Sequence, residues 1–166
     1  MDDKIRELIV KDAIRDKFCD YCRCMDRIDR ELGYSVFTKD SFVDHGPHFK
    51  GTGKEFIDWA CDYHEHGYLA TSHQITNLKI VVDGDNAYSE AYAFVGMRRI
   101  GPEGQLRVTN GWARDVSEWV IEDGEWRIAK HTICQDFVDT RDVQINGDAF
   151  YGKRDRTDPS YSVLER

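Results

Sequence analysis

No apolar run in the 166 residues approaches the roughly 20 needed to cross a bilayer, so no membrane-spanning helix and no membrane partner are expected. Basic charge is also short. Thirty-one acidic side chains (Asp+Glu 31) against 23 basic ones leave a formal net charge of -8. A balance of that sign repels phosphate backbones, which excludes nucleic acid as an expected partner. An even set of cysteines is missing as well. Five are present, and Cys19, Cys22 and Cys24 crowd one segment, which fits a reducing, cytoplasmic setting better than a disulfide framework. Met1-Asp2-Asp3-Lys4 is charged and runs straight into a helical pattern, so it does not read as a signal peptide. No internal repeat is visible. The length suits one domain that can enclose a core and a pocket.

The first third carries a helical stripe. Val10, Ile14, Phe18, Tyr21, Met25, Ile28 and Leu32 follow a spacing that keeps them on one side, and Gly33 supplies a stop signal. Residues 34–39 read as irregular and lead into a short strand, Ser41 to Asp44. A Gly51-Thr52-Gly53 loop precedes a second helix from Lys54 to His66, with Phe56, Ala60 and Tyr63 on one side and Gly67 as terminator.

From Thr71 the pattern turns to strand, in four runs at 72–82, 86–99, 105–122 and 125–138. Asp83-Gly84, Gly101-Pro102-Glu103-Gly104 and Asp123-Gly124 connect them. Asp-Gly between strand-like runs is a hairpin cue, because glycine accepts the positive φ of a tight turn. Helices followed by an antiparallel meander define an α+β fold, and strands this long are expected to curve around the N-terminal helices. A pocket then forms between the concave face and the helices. Residues 1–138 make up this body. The remaining stretch, 139–166, is rich in Asp, Arg, Gly and Ser but carries Val143, Ile145, Phe150, Tyr151 and Tyr161. It is expected to wrap over the body, cover the pocket mouth or reach a neighbouring subunit.

Several side chains could carry chemistry, each with an ordinary structural explanation beside it. His73 stands at the start of the first long strand and has the side chain whose pKa suits proton transfer near neutrality. Strict alternation puts it with Asn77 and Lys79, away from the apolar Leu78, Ile80 and Val82. A bulge near Thr76-Asn77 would reverse that. Asp26 falls to the side of the helical stripe, where a solvated carboxylate is the simple reading, and Asp29 lies nearer to it. Tyr21 is on the stripe, as a packed aromatic would be. His131 shares a strand face with Ala129, Ile133 and Phe137, so it is either a core histidine or a second proton-transfer group. Asn110 is a candidate hydrogen-bond donor to a substrate, with Trp112, Phe94 and Tyr92 as candidate aromatic walls.

Metal-ligand patterns are incomplete. His45 and His48 bracket a Gly-Pro turn, and His64 and His66 lie at a helix end, where a positive imidazole near the C-terminus suffices to explain them. Cys19, Cys22 and Cys24 amount at most to half of a zinc site. No metal and no cofactor are expected.

The order and spacing of these segments resemble the SnoaL-like group of the nuclear transport factor 2-like superfamily over residues 5–138. The resemblance is carried by Tyr21-Cys22-Arg23-Cys24-Met25-Asp26, Val36 to Val43, Gly51 to Phe56, Ser72 to Asn77 and Asp123 to Ala129. It implies a cone-shaped, curved sheet wrapped around the N-terminal helices. Catalytic members include γ-hexachlorocyclohexane dehydrochlorinase, scytalone dehydratase and bile acid 7α-dehydratase. In them a helix aspartate orients a histidine general base, and these roles fall on Asp26 and His73. A tyrosine of the bile acid enzyme falls on Tyr21, and an arginine of the dehydrochlorinase falls on His131.

The resemblance therefore implies a cofactor-free lyase, with an isomerase within the same chemistry, that expels water or another oxygen-linked group from a hydrophobic cyclic or aromatic small molecule. Tyr21 or His131 would be the proton donor. A homo-oligomer is implied too, a trimer rather than a dimer, to be read by light scattering. The same superfamily holds non-catalytic proteins, such as the β subunit of ring-hydroxylating dioxygenases, and binding modules, so both stand as alternatives.

Overall fold

The computed structural model describes residues 2–144 and 152–164. Ile145, Phe150 and Tyr151 of the C-terminal stretch lie outside the described residues. Helix α1 (Asp3–Arg27) is followed by a short α2 (Arg30–Tyr34), β1 (Phe37–His45), β2 (Phe49–Gly51) and α3 (Gly53–Gly67). Four long strands come next: β3 (Ala70–Asp83), β4 (Asn86–Ile100), β5 (Leu106–Glu122) and β6 (Glu125–Asp142), before α4 (Pro159–Leu164). The fold is α+β, with the N-terminal helices held against a curved, unclosed six-stranded sheet ordered β2-β1-β6-β5-β4-β3. All neighbours are antiparallel except β1 and β6, which run parallel. The last strand passes residue 138 and ends at Asp142.

The stripe of α1 explains the packing. Val10, Ile14, Phe18, Tyr21 and Met25 are all buried, as the 3.6-residue period requires of a helix laid on a sheet. Ala87 and Ala91 of β4, both fully buried, belong to the same core. Phe18 meets Trp119 edge-on at 5.1 Å, and the indole nitrogen donates to Ser89 Oγ at 2.8 Å. Burying a ring such as Phe18 contributes roughly 2–3 kcal/mol, and its aromatic contact adds a fraction more.

Two boundaries differ from the sequence reading: β1 already begins at Phe37, inside the stretch read as irregular, and the first helix ends early. The first helix does not run through Leu32 to a stop at Gly33. It ends where Ile28 turns left-handed (φ 56°), and Asp29 starts α2 by accepting from the Leu32 amide at 3.3 Å. Gly33 sits inside α2, where a Cβ would come within 2.8 Å of Ile57 and 3.0 Å of Cys24 Sγ. Its lack of a side chain lets α2 touch α3. The second helix starts as expected, with Thr52 and Glu55 forming a capping box. At the β5–β6 turn Asp123 and Gly124 both have positive φ, 53° and 81°, as a two-residue type I′ hairpin demands. No helix among the described residues is long and apolar enough to cross a membrane.

Candidate active site

The register of β3 decides what faces the helices. Ile75 pairs with Ala93 and Leu78 with Ala91, so Thr76 and Asn77 together oppose Tyr92 alone. That extra residue is a β-bulge, and it reverses the alternation. Thr71, His73 and Ile75 therefore point inward together with Leu78, Ile80 and Val82, while Ser72, Gln74 and Lys79 are exposed. His73 ends up beside the last turn of α1.

There it meets Asp26. His73 Nδ1 lies 2.7 Å from Asp26 Oδ1, and the same carboxylate accepts from the His73 backbone amide at 2.9 and 3.2 Å. Both side chains are largely sheltered, at 12% and 16% exposure. A carboxylate can only accept, so Nδ1 carries the proton and Nε2 keeps a free lone pair. Asp29 takes no part. It caps α2 and accepts from the Tyr161 hydroxyl at 2.9 Å.

The imidazole lines a cavity of about 280 Å³ enclosed by α1, α3 and the concave face of the sheet. Its wall is mostly apolar, with Tyr21, Met25, Phe56, Trp59, Ile75 and Met97 among the lining residues. Tyr21 is buried, and burial together with the nearby Asp115 holds its phenol well above its ordinary pKa, so its hydroxyl keeps the proton.

The other residues singled out from sequence lie elsewhere. His131 is fully buried behind Tyr21 and Phe37, whose rings are 5.4 and 6.0 Å away, and it does not line the cavity. Its Nδ1 is 2.8 Å from Ser117 Oγ, and burial drives its pKa down to about 3. It is neutral near pH 7 and cannot serve as an imidazolium donor there. On β5 the cavity is lined by Thr109, Gly111, Ala113 and Asp115, so alternation turns Asn110 and Trp112 to the opposite face. Trp112 reaches the wall, yet its ring stacks on Phe137 at 4.7 Å and meets Phe94 edge-on at 5.1 Å. Tyr92 is exposed opposite the bulge. Asn110, Phe94 and Tyr92 are thus off the cavity wall, because residue type alone does not say which face a strand residue takes.

Two cavity residues were missed. His64 is not a solvated cation at a helix end: it is buried, its ring centroid is 5.0 Å from that of His73, and its Nδ1 has no hydrogen-bond partner among the described residues. Burial, with help from His73 and Arg154, pulls its pKa to about 3. The sequence signal was its place beside Ala60 and Cys61 on the buried side of α3. Asp115 is a carboxyl 3% exposed on the cavity wall, pushed up to about 7 by burial alone. Its alternation with Ala113, Ser117 and Trp119 would have revealed a carboxyl on an inward face.

His45 and His48, with ring centroids 5.3 Å apart, also line the cavity. Among the described residues one trio could hold a metal ion, Asp62, Glu65 and His66, and it is exposed on α3. Arg30 already engages Asp62 at 2.8 Å and Glu65 at 3.5 Å.

Fold and site together define a small α+β pocket protein with a histidine–aspartate pair at the pocket wall. Residues 6–132 match the SnoaL-like domain model, and the chain belongs to that family, within the nuclear transport factor 2-like superfamily. A scytalone dehydratase-like protein from Novosphingobium aromaticivorans is 20% identical, with a TM-score of 0.70, covering 84% of this chain and 91% of its own. A hexachlorocyclohexane dehydrochlorinase, LinA-type3 from Novosphingobium barchaimii LL02, is 18% identical with a TM-score of 0.69, covering 89% and 97%. An aromatic-ring-hydroxylase-like protein from Novosphingobium aromaticivorans is 21% identical with a TM-score of 0.66, covering 82% and 94%. These likenesses establish the fold. No curated protein matches the sequence.

Proposed function

We propose that the protein is a cofactor-independent lyase, a dehydratase or an enzyme of related elimination or retro-aldol chemistry, acting on a hydrophobic cyclic or aromatic compound. The observation that carries this is the 2.7 Å His73–Asp26 pair on the wall of an apolar cavity. Asp26 fixes the ring and its tautomer, so Nε2 acts as the base that removes a proton from carbon. Tyr21, protonated and on the same wall, can donate to a departing oxygen, whereas His131 is neutral and out of reach. The dehydratase-like and dehydrochlorinase neighbours support eliminations on this fold.

The test is turnover of a panel of cyclic β-hydroxy ketones, followed as loss of water. His73→Ala should lower turnover by about 100- to 10,000-fold with an unchanged circular dichroism spectrum, and Asp26→Asn should fall in the same direction. Full turnover in His73→Ala would sink the mechanism. A non-catalytic partner role has one observation in its favour, the 60% exposed Phe137 stacked on Trp112. That role makes no use of the His73–Asp26 pair, so loss of turnover in His73→Ala rules it out as the sole function.

A further inference from the structure

Asp115 has no structural partner that would account for its place. No hydrogen bond from the described residues reaches its carboxyl, and His131 Nε2, at 3.9 Å, is too far to donate. The titratable groups that face it are Tyr21 and Cys22 from α1 and His131 from β6, and none is a cation at neutral pH. From the flanking strands it is paired with Ala91 and Ile133. Below about pH 7 a carboxyl in such a setting keeps its proton and becomes a hydrogen-bond donor, the reverse of what a surface aspartate offers.

Its position along the sheet is equally specific. His73 is in register with Val95, and Val95 with Gly111. Asp115 lies four residues further along β5, about 13 Å of strand at roughly 3.3 Å per residue. Base and carboxyl therefore stand apart on the wall of one mostly apolar cavity.

We infer that Asp115 forms a donor subsite for an uncharged oxygen, a carbonyl or hydroxyl, on a ring compound whose other end reaches His73. The subsite excludes ligands that carry a carboxylate or phosphate at that end, because no cation is there to meet one. This rests on reading the cavity as the substrate site, but its test needs no turnover.

The test is equilibrium binding of two probes of one shape, 1-indanone and indane, read by calorimetry and by Trp59 fluorescence from the cavity wall. At about pH 5.5 the ketone should bind about tenfold more tightly than the hydrocarbon, the value of one buried hydrogen bond of about 1.4 kcal/mol. At about pH 8.5 the preference should shrink to about twofold or less as Asp115 ionises. His45, His48, His64 and His73 also line the cavity, so Asp115→Asn is the control. Its amide donates at both pH values, so it should keep the preference at both, and Asp115→Leu should abolish it. Equal affinity for the pair at low pH, an unchanged ketone preference in Asp115→Leu, or binding of neither probe overturns the inference. If the wild type shows no turnover, or His73→Ala retains it, the lyase reading fails while the ketone–hydrocarbon contrast stands. The two failures are thus told apart.

Discussion

Asp115 and His131 sit 3.9 Å apart, and at neutral pH neither gains from the other as an ion pair, because burial keeps His131 uncharged. Their effects on stability have opposite signs. Asp115 has a folded pKa of about 7 against an ordinary 3.8. The folded state holds a proton that the unfolded chain gives up, so this contribution is lost as pH rises from about 4 through about 7. The pKa gap corresponds to a ceiling on the order of 4 kcal/mol. His64 and His131, both near 3 against 6.5, behave the other way. They are neutral in the fold, so their contribution is present above pH 6.5 and is lost as pH falls toward 3. Asp115→Asn should therefore raise stability markedly at about pH 8 and far less at about pH 4, whatever its constant effect on packing. Urea denaturation at the two pH values checks this, and an equal change at both would refute the assignment of a protonated Asp115.

At the scale of the element, the bulge at Thr76–Asn77 matters most. Alternation read from residues alone places His73 with Lys79 on a wet face, and that reading is correct for an unbroken strand. The reversal depends on pairing with β4, where one residue, Tyr92, answers two on β3. A single strand does not display its partner's count, so sequence could pose the bulge and not decide it. Asp26 was hidden for a related reason. The helical wheel measures distance from the core stripe, whereas Asp26 faces the bulged start of β3 instead of the core. The strand runs, hairpins and both main helices were legible because they rest on period and turn chemistry within short windows. The break at Ile28 was not, since a β-branched residue rarely turns left-handed. Deleting Asn77 removes the extra residue and leaves Thr76 alone opposite Tyr92, with Ile75 still opposite Ala93 and Leu78 opposite Ala91. His73, Ile75, Leu78 and Ile80 would then all face inward in strict alternation. The expected readouts are retention of the downfield His73 Nδ1–H proton resonance and turnover within about tenfold of the parent. Loss of that resonance in a folded deletion variant would show that the register with β4 does not set the facing of His73.

At the scale of the molecule, the described part of the C-terminal stretch lies beyond the segment matched by the family model and still converges on the site. Tyr161 is buried, hydrogen-bonds Asp29 at 2.9 Å, and has the guanidinium groups of Arg23 and Arg156 over its ring at 4.5 and 4.6 Å. Arg154 donates to the carbonyls of His64 and Tyr68 at 2.9 and 2.8 Å and to Thr71 Oγ1 at 3.3 Å. A cation on the carbonyls at a helix C-terminus is favourable both as a charge and as a donor. These contacts tie together the end of α1 that bears Asp26, the end of α3 that bears His64 and the start of β3 that bears His73. Arg154→Ala removes all three hydrogen bonds and leaves the His64 carbonyl with only the Tyr68 amide, at a cost of about 2–4 kcal/mol. Tyr161→Phe removes one bond and keeps the ring, at about 1 kcal/mol. Thermal unfolding should rank the variants in that order, with a chain ending at Gln144 the least stable of the set. Activity separates holding from mere stability. If the strap positions the pair, Arg154→Ala should lower kcat well below its unfolding temperature, and Arg154→Lys, which keeps the charge and at least one carbonyl bond, should recover part of it. A truncated chain with unchanged kcat and unchanged Tm would show that the body holds His73 against Asp26 without the strap.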